Sequence, residues 1–238
     1  MKVIIIAGGL GTRISEETED KPKPMVLISG KPIIWHLMNI FSLQGFSDFI
    51  ISTGYKSEVI ENWVQNNRIL DSNSKMMNIS TINTGMNTQT GGRISEVMKT
   101  LPKDKVIATY GDGLANISVK KLLNFHNSHG KLASVTAVRP PARFGYMKIE
   151  NNLVTHFGEK KQSDEGWING GFFVLDPQVA DYVESINEPF ETGALVRLSN
   201  ESNLMAYHHE GFWQPMDTLR EKKELEIEAS LETPAWLK

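Results

Sequence analysis

The sequence contains no cysteine. Disulfides, zinc–thiolate centres and thiol nucleophiles are therefore excluded, and the composition suits a reducing compartment such as the cytoplasm. It has little excess charge: 25 Lys+Arg stand against 28 Asp+Glu, a formal net charge of −3. A chain without a bulk basic field attracts polyanions poorly, so neither nucleic acid nor an anionic membrane is expected as its main partner. Long apolar runs are missing as well; none approaches the ~18 residues of a membrane-crossing helix. The opening Met1-Lys2-Val3-Ile4-Ile5-Ile6 is too short for the apolar region of a secretory signal and runs straight into glycines. It is expected to be a buried first strand. No internal repeat, low-complexity tract or linker divides the chain.

What is present is a 238-residue chain with 40% hydrophobic residues. A chain of this size hides roughly 70% of its unfolded surface, enough for one sizeable core. Apolar runs alternate with helical patterns. Val3 to Ile6, Phe49 to Ile51, Met77 to Ile82, Val106 to Tyr110 and Leu132 to Val138 read as strands. Helices are expected after Pro32, from Ser57 to Val64, from Gly91-Gly92 through Met98, and from Ser118 to about Asn127. Strand–helix alternation of this kind predicts an α/β fold, a mostly parallel sheet covered by helices. After Pro140-Pro141 the rhythm becomes strand-rich, which predicts a small β-rich insertion. The charged stretch from Leu219 to Leu231 reads as a solvated helix. The expected organisation is one domain over residues 1–238. A nucleotide-binding half spans about 1–139, a second half about 140–218 and a C-terminal helix about 219–238.

The chemistry-bearing segment follows the first strand: Ile6-Ala7-Gly8-Gly9-Leu10-Gly11-Thr12-Arg13. In open α/β sheets, ligands sit at the carboxyl ends of strands, and glycines let backbone N–H groups approach an anion. A tight strand-to-helix turn would have the same composition. Two other readings fail on spacing. The third glycine of a dinucleotide fingerprint would fall on Ile14, and Ser52-Thr53-Gly54 offers no acid for a ribose. A phosphate loop of the Gly-Lys-Ser/Thr kind is absent, since Gly11 precedes Thr12-Arg13 and Gly30-Lys31 precedes Pro32. What remains is a glycine loop with its own arginine, followed by Lys21-Pro22-Lys23-Pro24-Met25. Arg13 offers a planar fork for phosphate oxygens and Lys23 a compact cation, stiffened by its two prolines.

These two segments resemble the signature of sugar-1-phosphate nucleotidylyltransferases. Further motifs are similar to the glucose-1-phosphate cytidylyltransferase branch: Thr90-Gly91-Gly92-Arg93, Tyr110-Gly111-Asp112-Gly113, Arg143-Phe144-Gly145, Glu159-Lys160, Ile168 to Val174, and Gly211-Phe212-Trp213-Gln214-Pro215-Met216-Asp217-Thr218. Two stretches depart from that branch: Asn67 to Thr84 is shorter, and Glu188 to Gly193 reads differently. The resemblance implies a Rossmann-like fold of the nucleotide-diphospho-sugar transferase type. It also implies joining of a sugar 1-phosphate, best matched by glucose 1-phosphate, to a nucleoside triphosphate, best matched by CTP. The implied catalytic residues are Arg13, Lys23, Asp112 and Asp217, with Mg2+ held by Asp112 and Asp217. The implied nucleotide contacts are Ile6, Ala7, Gly8, Gly9, Leu10, Gly11, Thr12 and Arg13, with Thr88, Arg93 and Gly111. The implied sugar contacts are Gly145, Glu159, Lys160, Asn169 and Gly170. A homo-oligomer is implied too.

Several of these residues have plainer readings on sequence alone. Asp112 between glycines could close a turn, and Asp217 could cap the helix that begins near Thr218. Arg93 could be a helix-surface arginine, and Asn169-Gly170-Gly171 a hairpin turn. A non-catalytic sugar-nucleotide-binding regulatory module, or a transferase of the same fold with another sugar or phosphorylated acceptor, remains the competing reading. His208-His209 alternate along a strand and cannot readily share a metal. His36, His126, Met76-Met77 and Trp63 read as packing.

Overall fold

The computed structural model describes residues 1–140, 145–150, 152–159 and 166–238, and of 145–150 and 156–159 the backbone only. The β-branched run at the start forms strand β1 (Val3–Ile6), every residue of it buried. Its side chains alternate between two cores, as a strand covered on both faces requires. Val3 and Ile5 join Leu37, Phe41, Phe49, Ile51 and Phe172 on one face. Ile4 and Ile6 join Ile50, Ile94, Val97, Phe173 and Phe190 on the other.

Around β1 the chain builds strands β2 (Leu27–Ile28), β3 (Lys31–Pro32), β4 (Asp48–Thr53) and β5 (Asn78–Asn83). Helices α1 (Ser15–Thr18), α2 (Ile33–Leu43), α3 (Ser57–Asn66) and α4 (Thr90–Lys99) alternate with them. There follow β6 (Val106–Tyr110), β7 (Gly113–Ala115), α5 (Val119–His129), β8 (Ala133–Val138), β9 (Gly145–Glu150), β10 (Leu153–Glu159) and β11 (Ile168–Leu175). The chain closes with α6 (Ala194–Asn200), β12 (Leu204–His209), β13 (Trp213–Pro215) and α7 (Leu219–Ala229). Among the described residues, no helix is long and apolar enough to cross a membrane.

The main sheet has seven strands in the order β12-β8-β11-β6-β1-β4-β5. β1 runs parallel to β4 and β6, β4 to β5, and β8 to β12, whereas β11 is antiparallel to both β6 and β8. The sheet is thus mixed and mostly parallel. β11 and β12, from the strand-rich part of the sequence, are woven into the same sheet as the first half. The β-rich insertion expected after Pro140 is seen as the antiparallel ribbon β9–β10. The C-terminal helix ends at Ala229, and Ala235–Leu237 forms a separate short turn that buries Trp236 in the core.

The reversed strand β11 has a consequence for function. Because it runs against its neighbours, its first residues lie at the edge where the parallel strands end. Phe172 is opposite Thr109 of β6, and Ile168 is opposite Val138 of β8. The register shifts between Asn169 and Phe173. Gly171 sits there at φ 79, and a Cβ on it would lie 2.5 Å from the Tyr110 ring. Asn169-Gly170-Gly171 is therefore a bulge within a strand rather than a hairpin turn.

Candidate active site

A cleft of about 620 Å³ opens at this carboxyl edge, a size usual for small-molecule sites. The glycine loop forms one wall. Gly11 adopts the left-handed conformation (φ 66), which turns the chain into the short helical turn Thr12–Ile14 and presents Arg13. Lys23 lies on a second short turn, Lys23–Met25, entered through Pro22. Ile6, Ala7, Gly9, Gly11, Thr12 and Arg13 line the cleft with Lys23, Thr88, Arg93, Gly111 and Asp112. Asn169, Gly170 and Asp217 line it too. Gly8 and Leu10 are not among its lining residues; Leu10 points outward over a shallow depression with Thr12, Ser15 and Glu16.

The two aspartates, far apart in sequence, meet through a small antiparallel pair. β13 binds β7 with Pro215 opposite Gly113, and the Met216 amide donates to the Asp112 carbonyl at 2.8 Å. Asp217 is thereby delivered beside Asp112. It does not cap the helix: Thr218 does, in a reciprocal box with Glu221, whose carboxylate also accepts from the Asp217 amide. That leaves the Asp217 side chain to the cleft.

Lys23 stands between the two acids. Its ammonium donates to Asp112 Oδ2 and to Asp217 Oδ1, each at 2.6 Å, while Arg13 donates to Asp217 Oδ2 at 2.6 Å. Lys23 is 8% exposed, whereas the Arg13 side chain is 75% exposed. Burial alone would lower the Lys23 pKa, but the charge and hydrogen bonds of Asp112, then those of Asp217, outweigh it and the value is raised. The lysine is locked as a cation.

Arg93 is neither a surface arginine nor an open phosphate contact. It is 2% exposed, and its guanidinium donates to the carbonyls of Gly8, Thr53 and Met86 and to the Thr84 hydroxyl. A Cβ on Gly8 would lie 2.1 Å from this guanidinium and one on Gly54 2.5 Å. The arginine thus threads between two glycines and braces the loop from beneath. The amide of Gly91 donates to the Glu188 carbonyl at 3.1 Å. Thr88 turns its hydroxyl to the Thr84 carbonyl.

On the opposite wall, Trp213 Nε1 donates to the Gly170 carbonyl at 2.8 Å, and Asn169 accepts from the Gly171 amide at 2.8 Å. Gly145 opens β9 and Glu159 ends β10. The Glu159 side chain, Lys160 and Arg143 lie outside the described residues. Thr90, Tyr110 and Glu191 line the cleft as well and were given no site role in the sequence reading. Thr90 and Tyr110 each open a motif named above, whereas Glu191 lies in none of them.

A nucleotidyl transferase family model matches residues 2–218, nearly the whole chain. The chain belongs to this family. Glucose-1-phosphate cytidylyltransferase of Salmonella typhi is 44% identical over 95% of this chain and 95% of its own length. D-glycero-α-D-manno-heptose 1-phosphate guanylyltransferase of Aneurinibacillus thermoaerophilus is 31% identical over 80% of each. Among solved structures, HddC from Yersinia pseudotuberculosis complexed with GMP-PN superposes with a TM-score of 0.70 at 26% identity, covering 96% of this chain and 99% of that one. UDP-glucose pyrophosphorylase complexed with UDP-glucose shares the fold, with a TM-score of 0.70 at 18% identity over 95% and 97% of the two chains. The Rossmann-like expectation is met.

Proposed function

We propose that this nucleotidyl transferase joins glucose 1-phosphate to CTP, giving CDP-glucose and pyrophosphate. The observation that carries the transfer chemistry is the meeting of Asp112 and Asp217 on one ammonium, with Arg13 alongside, at the mouth of the glycine loop. The choice of cytidine and glucose rests on the higher identity to the cytidylyltransferase than to the guanylyltransferase relative.

A non-bridging oxygen of the sugar phosphate attacks the α-phosphorus of the triphosphate. The bond from that phosphorus to the β-phosphate's bridging oxygen breaks, and pyrophosphate departs with the electron pair. A phosphate dianion is already nucleophilic, so the chain needs no general base. Its task is to position two anions and offset their repulsion. Lys23, protonated and held by two carboxylates, fixes positive charge at the reacting phosphates. Arg13, exposed and forked, receives the departing pyrophosphate oxygens. Arg93 keeps the glycine loop in shape through the Gly8 carbonyl.

Two carboxylates that share one cation fit a hard divalent ion such as Mg2+, which keeps waters and phosphate oxygens as its remaining ligands. Among the described residues, no cluster of three His, Cys, Asp or Glu offers a denser site. Asp112 and Asp217 would hold the ion, and when bound it supplies further neutralisation of phosphate charge. Ile6, Ala7, Gly9, Gly11, Thr12, Thr88 and Gly111 would face the nucleotide, and Asn169 and Gly170, with Gly145, Glu159 and Lys160, the sugar. The nucleotide half (about 1–139) and sugar half (about 140–218) act as one unit, consistent with their shared sheet. We further propose a cytoplasmic location, in keeping with the cysteine-free composition, and a homo-oligomer, as the family resemblance implies.

Pyrophosphate release, measured with each of the four ribonucleoside triphosphates, with and without glucose 1-phosphate and Mg2+, tests this reading. Release is expected for CTP with glucose 1-phosphate and Mg2+. Preference for GTP would move the chain to the guanylyltransferase side, and no release in any combination would favour a binding module.

A further inference from the structure

The cleft contains an acid outside the Asp112–Lys23–Asp217 cluster. Glu191 lines it from the segment between β11 and α6. That segment is fixed against the start of α4. Gln89 and Gly91 donate their amides to the Ile186 and Glu188 carbonyls at 2.9 and 3.1 Å. A Cβ on Gly91 would lie 2.7 Å from the Glu188 carbonyl oxygen, and one on Gly92 2.3 Å from that of Ile186. Phe190, fully buried, packs edge-on against Phe173 with centroids 5.5 Å apart. The glycines of Thr90-Gly91-Gly92 therefore serve to bring this segment onto the helix, and Glu191 with it.

The carboxylate is aimed from both sides. Tyr110 donates its hydroxyl to Oε1, and Thr90 donates its hydroxyl to Oε2 at 2.7 Å. Thr90 in turn accepts from the Phe190 amide at 2.8 Å, and Tyr110 accepts from the Asn169 side-chain amide at 3.2 Å. A phenol is protonated at neutral pH, so Tyr110 serves Glu191 as a donor. An ionised carboxylate has about four acceptor positions, and the two hydroxyls take two of them. Acceptor capacity is left on an exposed side chain in the cleft.

Its chemistry separates it from the other acids. Asp112 and Asp217 touch cations; among the described residues, the partners of Glu191 are two neutral hydroxyls. An uncompensated carboxylate repels phosphate and accepts from hydroxyl groups. Tyr110 links it to Asn169 on the wall assigned above to the sugar. We propose that Glu191 is a specificity-determining residue that accepts hydrogen bonds from ring hydroxyls of the sugar 1-phosphate, with Tyr110 and Thr90 as its positioning residues. This rests on the transfer reaction proposed above.

The test is Glu191→Gln, with Glu191→Asp and Tyr110→Phe beside it. Steady-state kinetics are run with CTP and with glucose 1-phosphate or its monodeoxy analogues, each lacking one ring hydroxyl. In the unaltered enzyme, one deletion should lower kcat/KM about 10-fold or more, the usual loss for a hydrogen bond to a charged group. E191Q should show that loss already with glucose 1-phosphate and little further loss with the same analogue. Its KM for CTP should stay within about twofold, the base and triphosphate contacts being untouched. E191D and Y110F should lie between. Calorimetric binding of CDP-glucose and CDP gives a second readout: the advantage of CDP-glucose should shrink in E191Q while CDP binding holds. An unchanged sugar KM, the full penalty for every deoxy analogue in E191Q, or a shift confined to CTP overturns the role of Glu191 alone. Absence of turnover in the unaltered enzyme overturns the proposed reaction, and this role with it.

Discussion

At the carboxyl edge of the sheet, Asp112 and Asp217 gather around Lys23. At the opposite edge, His126 and His129 of α5 gather around Ser134 of β8, beside Asp176 at the end of β11 and Lys105 at the start of β6. The second group has the side chains of a nucleophilic triad, yet Ser134 is 0% and His126 2% exposed. Its bonds form a closed directional chain. The Lys131 amide donates to His129 Nδ1 at 3.0 Å, His129 Nε2 and Ser134 Oγ are 2.8 Å apart, Ser134 Oγ and His126 Nδ1 3.0 Å, and His126 Nε2 and Asp176 3.5 Å. With both rings neutral, each ring nitrogen has one partner and the Ser134 hydroxyl has two, accepting from His129 and donating to His126. The cleft is built differently. Its carboxylates and Arg13 are partly open to solvent around the buried Lys23, and Arg13 donates to Asp217. A satisfied polar chain fastens two elements together, whereas a charge cluster open to solvent is available to a ligand.

Single substitutions should separate the two regions. The largest effect is expected from Asp112→Asn, which should lower kcat by about 10³-fold or more, because transition-state charge stabilisation at phosphate is lost. Its melting temperature should move little; a variant with normal turnover would remove Asp112 from the catalytic cluster. Arg13→Ala should lower kcat/KM about 100-fold, again with little change in melting, since its side chain is three-quarters exposed. Loss of folding without loss of per-molecule activity would make Arg13 structural. The Glu191→Gln change, about 10-fold in kcat/KM for the sugar phosphate, comes next.

The far edge should behave in the reverse manner. Ser134→Ala leaves two imidazole nitrogens without partners and should cost about 2 kcal/mol of stability, read by denaturant unfolding, with kcat unchanged. A fall in kcat at equal folded fraction would link the two edges. The smallest effect is pH-dependent. Burial lowers the pKa of both His126 and His129, with His126 itself the next influence on His129. Asp176 raises both, and Lys105 opposes it at both. Each ring therefore protonates more readily in the unfolded chain. The stability they contribute is present above the ordinary histidine value of ~6.5 and is lost as pH falls below it. Melting temperature should decline between about pH 6.5 and 5, and the decline should be shallower in Ser134→Ala.

Much of the cleft could be read directly from local sequence. The β-branched run, the glycines, Arg13 and Lys23 lie within one short stretch, and that stretch forms one wall of the cleft where it stands in the chain. Other parts could not be read in this way. Arg93 has the sequence context of an exposed helix residue; only the crossing of α4 under the ends of β1 and β4 places it between Gly8 and Gly54. Gly91 and Gly92 read in sequence as the start of a helix, and only the fold shows that they serve the close approach of residues 186–190. Asn169-Gly170-Gly171 has turn composition, yet pairing on both sides keeps it in the sheet with a bulge.

The sequence alone determined the strand–loop–cation order at the first carboxyl edge, because hydrophobic periodicity and glycine placement act over a few residues. It also determined that no thiol chemistry was open to the chain, since cysteine is absent. The tertiary structure decided the rest. The β7–β13 pairing sets Asp217 beside Asp112, and the reversed β11 brings Asn169 to the cleft. Phe190 packing on Phe173 delivers Glu191. Contacts between distant segments depend on strand order and on how side chains fill a shared core, and no local pattern encodes either.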